Sequence, residues 1–213
     1  MKPRPHKLHY LLFHKPYGVL SQFTPACRHS ALRRAGTPEH GHKSLRDFGP
    51  FPLDVYPVGR LDADSEGLLL LTNDNMVKHR LTDPKFEHEK TYLVQVERIP
   101  NDEALKKMRS GVVIEGKKTK PAEVKLLGAE PTLPPRAVPI RFRKNVPTAW
   151  IELTLSEGRN RQVRKMTAAI GHPTLRLVRI RIGGLMLGDL ETGMSRDLTA
   201  QEVANAKASL GFR

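Results

Sequence analysis

Val58-Gly59-Arg60-Leu61-Asp62-Ala63-Asp64-Ser65-Glu66-Gly67 runs directly into Leu68-Leu69-Leu70-Leu71-Thr72. Four consecutive leucines, bounded by polar residues, predict a strand buried on both faces. The ten residues before them predict a loop, with Gly59 and Gly67 supplying backbone freedom that a side chain would forbid. Between the glycines stand Asp62, Asp64 and Glu66, one arginine (Arg60) and one hydroxyl (Ser65). A loop crowded with ionisable groups and braced by a rigid strand suits the positioning of a reactive carboxylate. On composition alone the same string is a solvated acidic turn. Its setting in a strongly basic chain argues for more.

The chain has 213 residues, with Lys+Arg 36 against Asp+Glu 22 and a net charge of +14. Such an excess points to a polyanionic partner, nucleic acid before an anionic membrane surface. The length admits one large domain or two small lobes. The 38% hydrophobic content, with 16 glycines beside it, is an ordinary globular composition. No apolar run approaches the roughly 20 residues that a membrane helix needs, and no signal-peptide segment follows the start. The chain is expected to be cytoplasmic. The single cysteine, Cys27, excludes an internal disulfide and a four-cysteine zinc site. Cys27, His29, His40 and His42 fit no standard zinc spacing, so no metal is expected.

Outward from the central run, residues 1–7 read as a basic arm and 24–50 as a basic loop carrying Arg28, Arg33, Arg34, Lys43 and Arg46. Leu8 to Phe13 reads as a strand. It is followed by a turn at Pro16 and Gly18 and by extended structure over Val19–Phe23. A short helix is expected from Asp74 to Leu81, capped by Asn73 or Asp74 and stopped before Pro84. Alternation predicts strands at 89–96 and 149–155, with Tyr92 on the more apolar face of the first. Asn101 caps a helix to Arg109, and Gly111 stops it. Short strands follow at 112–114 and 122–127. Residues 131–147 look irregular. A helix runs to Ile170 with Val163, Met166 and Ile170 on one face, while Arg161 and Arg164 share another. Leu175 to Gly184 reads as a strand, and Thr199 with Glu202 forms a capping box for a C-terminal helix.

Four dispersed strings carry a family resemblance. They are Phe13-x-Lys15-Pro16-x-Gly18-Val19-Leu20, the central Gly59-Arg60-Leu61-Asp62-x-Asp64-Ser65-Glu66-Gly67 run with its leucines, Lys90-x-Tyr92, and Glu157-Gly158-Arg159-x-Arg161-Gln162-Val163-Arg164. Together with Leu177-x-Arg179-x-x-Ile182-Gly183 they resemble the pseudouridine synthases of the ribosomal small-subunit synthase A type, over roughly residues 8–200. Many members carry an S4-type RNA-binding domain ahead of the first strand. Here the strand starts at once, as in the short, large-subunit members of synthase E type. One departure is Asn75, where the family usually has glycine.

The resemblance implies an α+β pseudouridine synthase fold, with two lobes whose mainly antiparallel sheets join into one around a cleft. The catalytic domain would span 8–213. It implies isomerisation of uridine to pseudouridine in ribosomal RNA, most of all in the large subunit, by a monomer without a cofactor. Asp62 is then the catalytic carboxylate, as nucleophile at C1′ or base at C2′. Arg164 is its ion-pair partner, Tyr92 stacks on the base, and Leu177 packs under it. Arg60 fills the place that the base vacates. Lys15 and Arg161 complete the substrate-binding set. The alternatives are a non-catalytic rRNA-binding factor, a synthase acting on another RNA, and an N-glycosidase using Asp62 with Glu66 as acid.

Overall fold

The computed structural model describes residues 7–24, 43–140 and 145–212. The chain enters through β1 (Tyr10–Lys15) and β2 (Val19–Leu20), then β3 (Lys43–Ser44), β4 (Tyr56–Val58) and β5 (Glu66–Thr72). Helix α1 (Asn75–Thr82) leads to β6 (Lys90–Glu97), and α2 (Asp102–Ser110) to the hairpin of β7 (Val113–Ile114) and β8 (Lys117–Lys118). Next come β9 (Glu123–Leu126), β10 (Thr148–Leu155), α3 (Gln162–Ala169) and β11 (Thr174–Ile182). The chain closes with β12 (Leu185–Met186), β13 (Ser195–Asp197) and α4 (Ala200–Ser209).

Among the described residues nine strands form one mixed sheet in the order β13-β1-β5-β11-β6-β10-β9, with β4 added to β5 and β12 to β11. Among the described strands of this sheet β5 and β11 alone run parallel, so the α+β, mainly antiparallel expectation describes the architecture. The parallel seam is close. A Cβ on Gly67 would stand 2.2 Å from the Arg179 carbonyl oxygen, at a φ of +102°, which only glycine accepts.

All seven residues of β5 are buried. Leu68 and Leu70 face a core with α1 and α4, against Val77, Leu81, Ala206 and Leu210. Leu69 and Leu71 face the opposite side, against Phe13, Leu45 and Val55, with Phe23, Phe48 and Phe51 around them. Each fully buried leucine contributes about 1.5–3 kcal/mol, so this strand anchors two layers at once. A third cluster packs α2 and α3 on β6, β10 and β9 through Leu105, Met108, Val163, Met166, Val94 and Leu153.

The helix starts follow the sequence. Asp74 accepts from the Met76 and Val77 amides, Asn101 from Ala104, and Thr199 forms the capping box with Glu202. Helix α3 differs: it begins at Gln162, and Arg161 caps it in the left-handed region, at φ 50°. Residues 131–140 hold no regular element. The arm at 1–7 is described only at Lys7. Most of the 24–50 loop, including Cys27, His29, His40 and His42, lies outside the described residues.

Candidate active site

The loop from Gly59 to Ser65 is held from beneath by its carbonyl oxygens. Leu61 O accepts from the Ser21 hydroxyl at 2.7 Å, and its amide donates back to that oxygen at 3.1 Å. Ala63 O accepts from the Gly18 amide at 2.7 Å, and Asp62 O from the Ser65 amide at 3.1 Å. Gly59 O accepts from Arg179 Nη2 at 2.7 Å. The Pro16–Gly18 turn therefore grips the back of the loop, and the side chains of Arg60 and Asp62 are left to the other side.

That side opens on a cleft of about 350 Å³, the lower end of the range for small-ligand sites. Its lining brings together Arg60 and Asp62 from the loop, Tyr92 from β6, Arg161 and Arg164 from the start of α3, and Leu177 and Arg179 from β11. These elements are far apart in sequence and adjacent in the sheet. Tyr92 lies directly opposite Arg179 across the β6–β11 ladder, and Leu177 is two residues from Arg179 on the same face. Tyr92 is half-buried and Leu177 is buried, so one wall is apolar while the Asp62 wall is charged.

The ion pairs differ from the expected Asp62–Arg164 pairing. Arg161 is the guanidinium beside Asp62, with Nη1 at 3.4 Å from Oδ2. The same side chain makes a two-point contact with Asp64, at 3.1 and 2.7 Å. Arg164 also belongs to Asp64: Nη2 donates to its carbonyl oxygen at 2.6 Å, and Nε lies 3.4 Å from its carboxylate. Arg161 is the left-handed cap residue of α3, and Arg164 lies three residues on, within the helix. Burial pushes the Asp64 carboxyl up. The Arg161 hydrogen bond and the Arg164 and Arg161 charges outweigh this and hold it below the ordinary range.

Lys15 is not at the cleft. It is 0% exposed, and Nζ donates to Pro16 O at 2.9 Å and Ala63 O at 3.4 Å, so it supports the loop and does not reach a substrate. Glu66 is also removed from the site, buried and bound in two places by Arg176 at 3.0 and 2.9 Å. That takes away the acid the N-glycosidase reading needs. Arg159 anchors the β7–β8 hairpin by donating to Ile114 O and Lys117 O. Among the described residues no cluster of three or more His, Cys, Asp or Glu is arranged to hold a metal, and no helix is long and apolar enough to cross a membrane. Sequence reasoning gave Arg179 no role, although it stands in the Leu177-x-Arg179 string, and passed over Arg176. The available signal was a strand in which Arg176, Arg179 and Arg181 interrupt a largely apolar run.

The chain is similar to known proteins over most of its length. The family described as RNA pseudouridylate synthase matches residues 9–169. A ribosomal large subunit pseudouridine synthase E from Xanthomonas axonopodis pv. citri (strain 306) is 50% identical over 203 residues, 95% of this chain and 99% of its own. A ribosomal small subunit pseudouridine synthase A from Escherichia coli (strain K12) is 33% identical, over 94% of this chain and 74% of its own. A crystal structure of a pseudouridylate synthase superposes with a TM-score of 0.74 at 29% identity, covering 94% of this chain and 74% of that one. A carboxylate loop on a doubly buried strand, an aromatic wall opposite and arginines from a distant helix thus coincide with a match over most of the chain, which belongs to the RNA pseudouridylate synthase family.

Proposed function

We propose that this enzyme isomerises one uridine of large-subunit ribosomal RNA, with Asp62 as the reacting carboxylate. The observation that carries the reading is the Asp62 side chain, 41% exposed in a cleft whose other wall is Tyr92 and Leu177, with a guanidinium at 3.4 Å. The large-subunit target rests on the 50% identical relative, which aligns over nearly its whole length.

A uridine within folded RNA is out of reach until it is extruded, at a cost of a few kcal/mol. Stacking on Tyr92 returns roughly 1–3 kcal/mol of that, and Leu177 closes the apolar side. Arg60, exposed at the cleft mouth, fills the gap in the RNA. The C1′–N1 bond breaks, the uracil turns, and C1′–C5 forms. The C5 proton leaves and N1 takes one up, so the change is a true isomerisation. An ionised Asp62 serves both routes to bond cleavage, attack at C1′ and removal of the C2′ proton. Arg161 and Arg164, held in place by Asp64, keep positive charge beside it. The net charge of +14 supplies affinity for phosphates. A ribosomal RNA substrate supports work in the cytoplasm.

The test is a pseudouridine map of ribosomal RNA from cells lacking the protein. One large-subunit position is expected to lose its pseudouridine and to regain it with the wild-type chain. An unchanged large-subunit map, or a loss confined to another RNA, would refute the assignment.

A further inference from the structure

Arg179 is 2% exposed, yet among the described residues no carboxylate pairs with it. Nε donates to Leu68 O at 2.9 Å and Nη2 to Gly59 O at 2.7 Å. One acceptor is on the central strand and the other opens the loop that carries Asp62. Its partner across the ladder is Tyr92. Burial pushes the guanidinium below arginine's usual range, and the Tyr92 hydroxyl against it offsets part of that. A buried charge without a counter-charge is strongly disfavoured. The cost is compounded here, because the charge of Arg179 also adds to the burial that depresses Lys15 and Lys90. An apolar side chain would fill the space without these penalties. Lysine would keep the charge but, as a point donor on a flexible stem, could not span the acceptors that a planar fork reaches together.

We infer that Arg179 is a positioning residue for the isomerisation: it fixes the Tyr92 side chain and the Asp62 loop at one separation, so that aromatic ring and carboxylate meet the same nucleotide. This rests on the roles of Asp62 and Tyr92 proposed above. The seam beneath it is close as well, since Gly67 lets the Arg179 backbone come where a Cβ would stand 2.2 Å from its carbonyl oxygen.

The experiment uses the full chain and a large-subunit ribosomal RNA transcript, with Arg179→Lys, Tyr92→Phe and the double variant. Turnover, RNA affinity and thermal unfolding are measured for each. Arg179→Lys is expected to lower kcat about 10²-fold, the scale of a small misplacement of reacting groups, with KM and RNA affinity unchanged. Tyr92→Phe keeps the stacking ring but drops the hydroxyl, and its loss also falls in kcat. In the double variant the two losses do not add, because the two residues face one another across the ladder. Wild-type kcat in Arg179→Lys, a loss confined to KM, or strict additivity would overturn the inference. If Arg179→Lys does not fold, Tyr92→Phe decides alone, and wild-type kcat there sinks it. None of these outcomes touches the role of Asp62, which Asp62→Asn tests separately.

Discussion

Glu66 and Asp62 are four residues apart on one run, and each meets an arginine from the C-terminal half of the chain. Glu66 opens β5, is 2% exposed, and takes two parallel bonds from Arg176, which also donates to Pro134 O. Asp62 sits in the loop with its side chain 41% exposed, and Arg161 divides itself between Asp62 and Asp64. The first carboxylate has its hydrogen-bonding capacity filled by the protein. The second has a long contact, at 3.4 Å, and room in front of it. A satisfied buried pair fastens two strands together, whereas an under-satisfied carboxylate at a cleft keeps its charge available to a ligand. Their places on the run differ accordingly: Glu66 lies on the fully buried ladder of β5, and Asp62 lies in the loop before it with its side chain part-exposed.

Asp62→Asn breaks the comparison at its functional end and carries the largest expected effect. Pseudouridine formation should fall by about 10³-fold or more, since a positioned proton-transfer or nucleophilic group contributes on that scale or above. RNA affinity and thermal stability should stay near wild type. Turnover comparable to wild type would remove Asp62 from the chemistry. Glu66→Gln is the opposite case. It leaves Arg176 buried beside a neutral amide, and denaturant unfolding should show a loss of about 3–5 kcal/mol. The fraction that remains folded should keep its activity. A stable but inactive Glu66→Gln would return Glu66 to the site as an acid.

This division was only partly legible in the sequence. The four leucines announce a doubly buried strand because continuous apolarity leaves no solvent face. The Asp74, Asn101 and Thr199 caps are legible because capping is local chemistry. The Asp62 loop, Tyr92, Leu177 and the arginines of α3 were found through their motifs. What escaped is what depends on partners. β4, β12 and β13 are two or three residues long and exist only because a longer strand runs beside them. Lys15 carries a charge, and nothing in its neighbours says that the loop will cover it. The pairing of Arg164 with Asp64 instead of Asp62 joins groups 100 positions apart, and composition does not signal it. The burial of Glu66 depends on an arginine 110 positions away.

Lys15 stands between the two carboxylate arrangements and gives the subtlest way to sharpen their contrast. Burial lowers its pKa to about 7, although Glu66, then Asp64, then Asp62 pull it upward. An unfolded lysine holds its proton up to an ordinary value of 10.5, whereas the folded chain releases it at about 7. Between those values the unfolded state binds more protons, so the contribution of Lys15 to stability improves as pH rises, by about 1.4 kcal/mol per unit. Below the folded value the penalty is present in full and flat, and above the unfolded value it is gone. The difference in unfolding free energy between wild type and Lys15→Met should therefore climb in favour of wild type from neutral to alkaline pH. A flat difference would mean that Lys15 reaches solvent. Glu66 is the largest of the three opposing charges, so the onset of that climb should move to lower pH in Glu66→Gln, and by less in Asp62→Asn. Equal displacement would mean that the buried and the cleft carboxylates act on Lys15 as one cluster, and the separation between them would be lost.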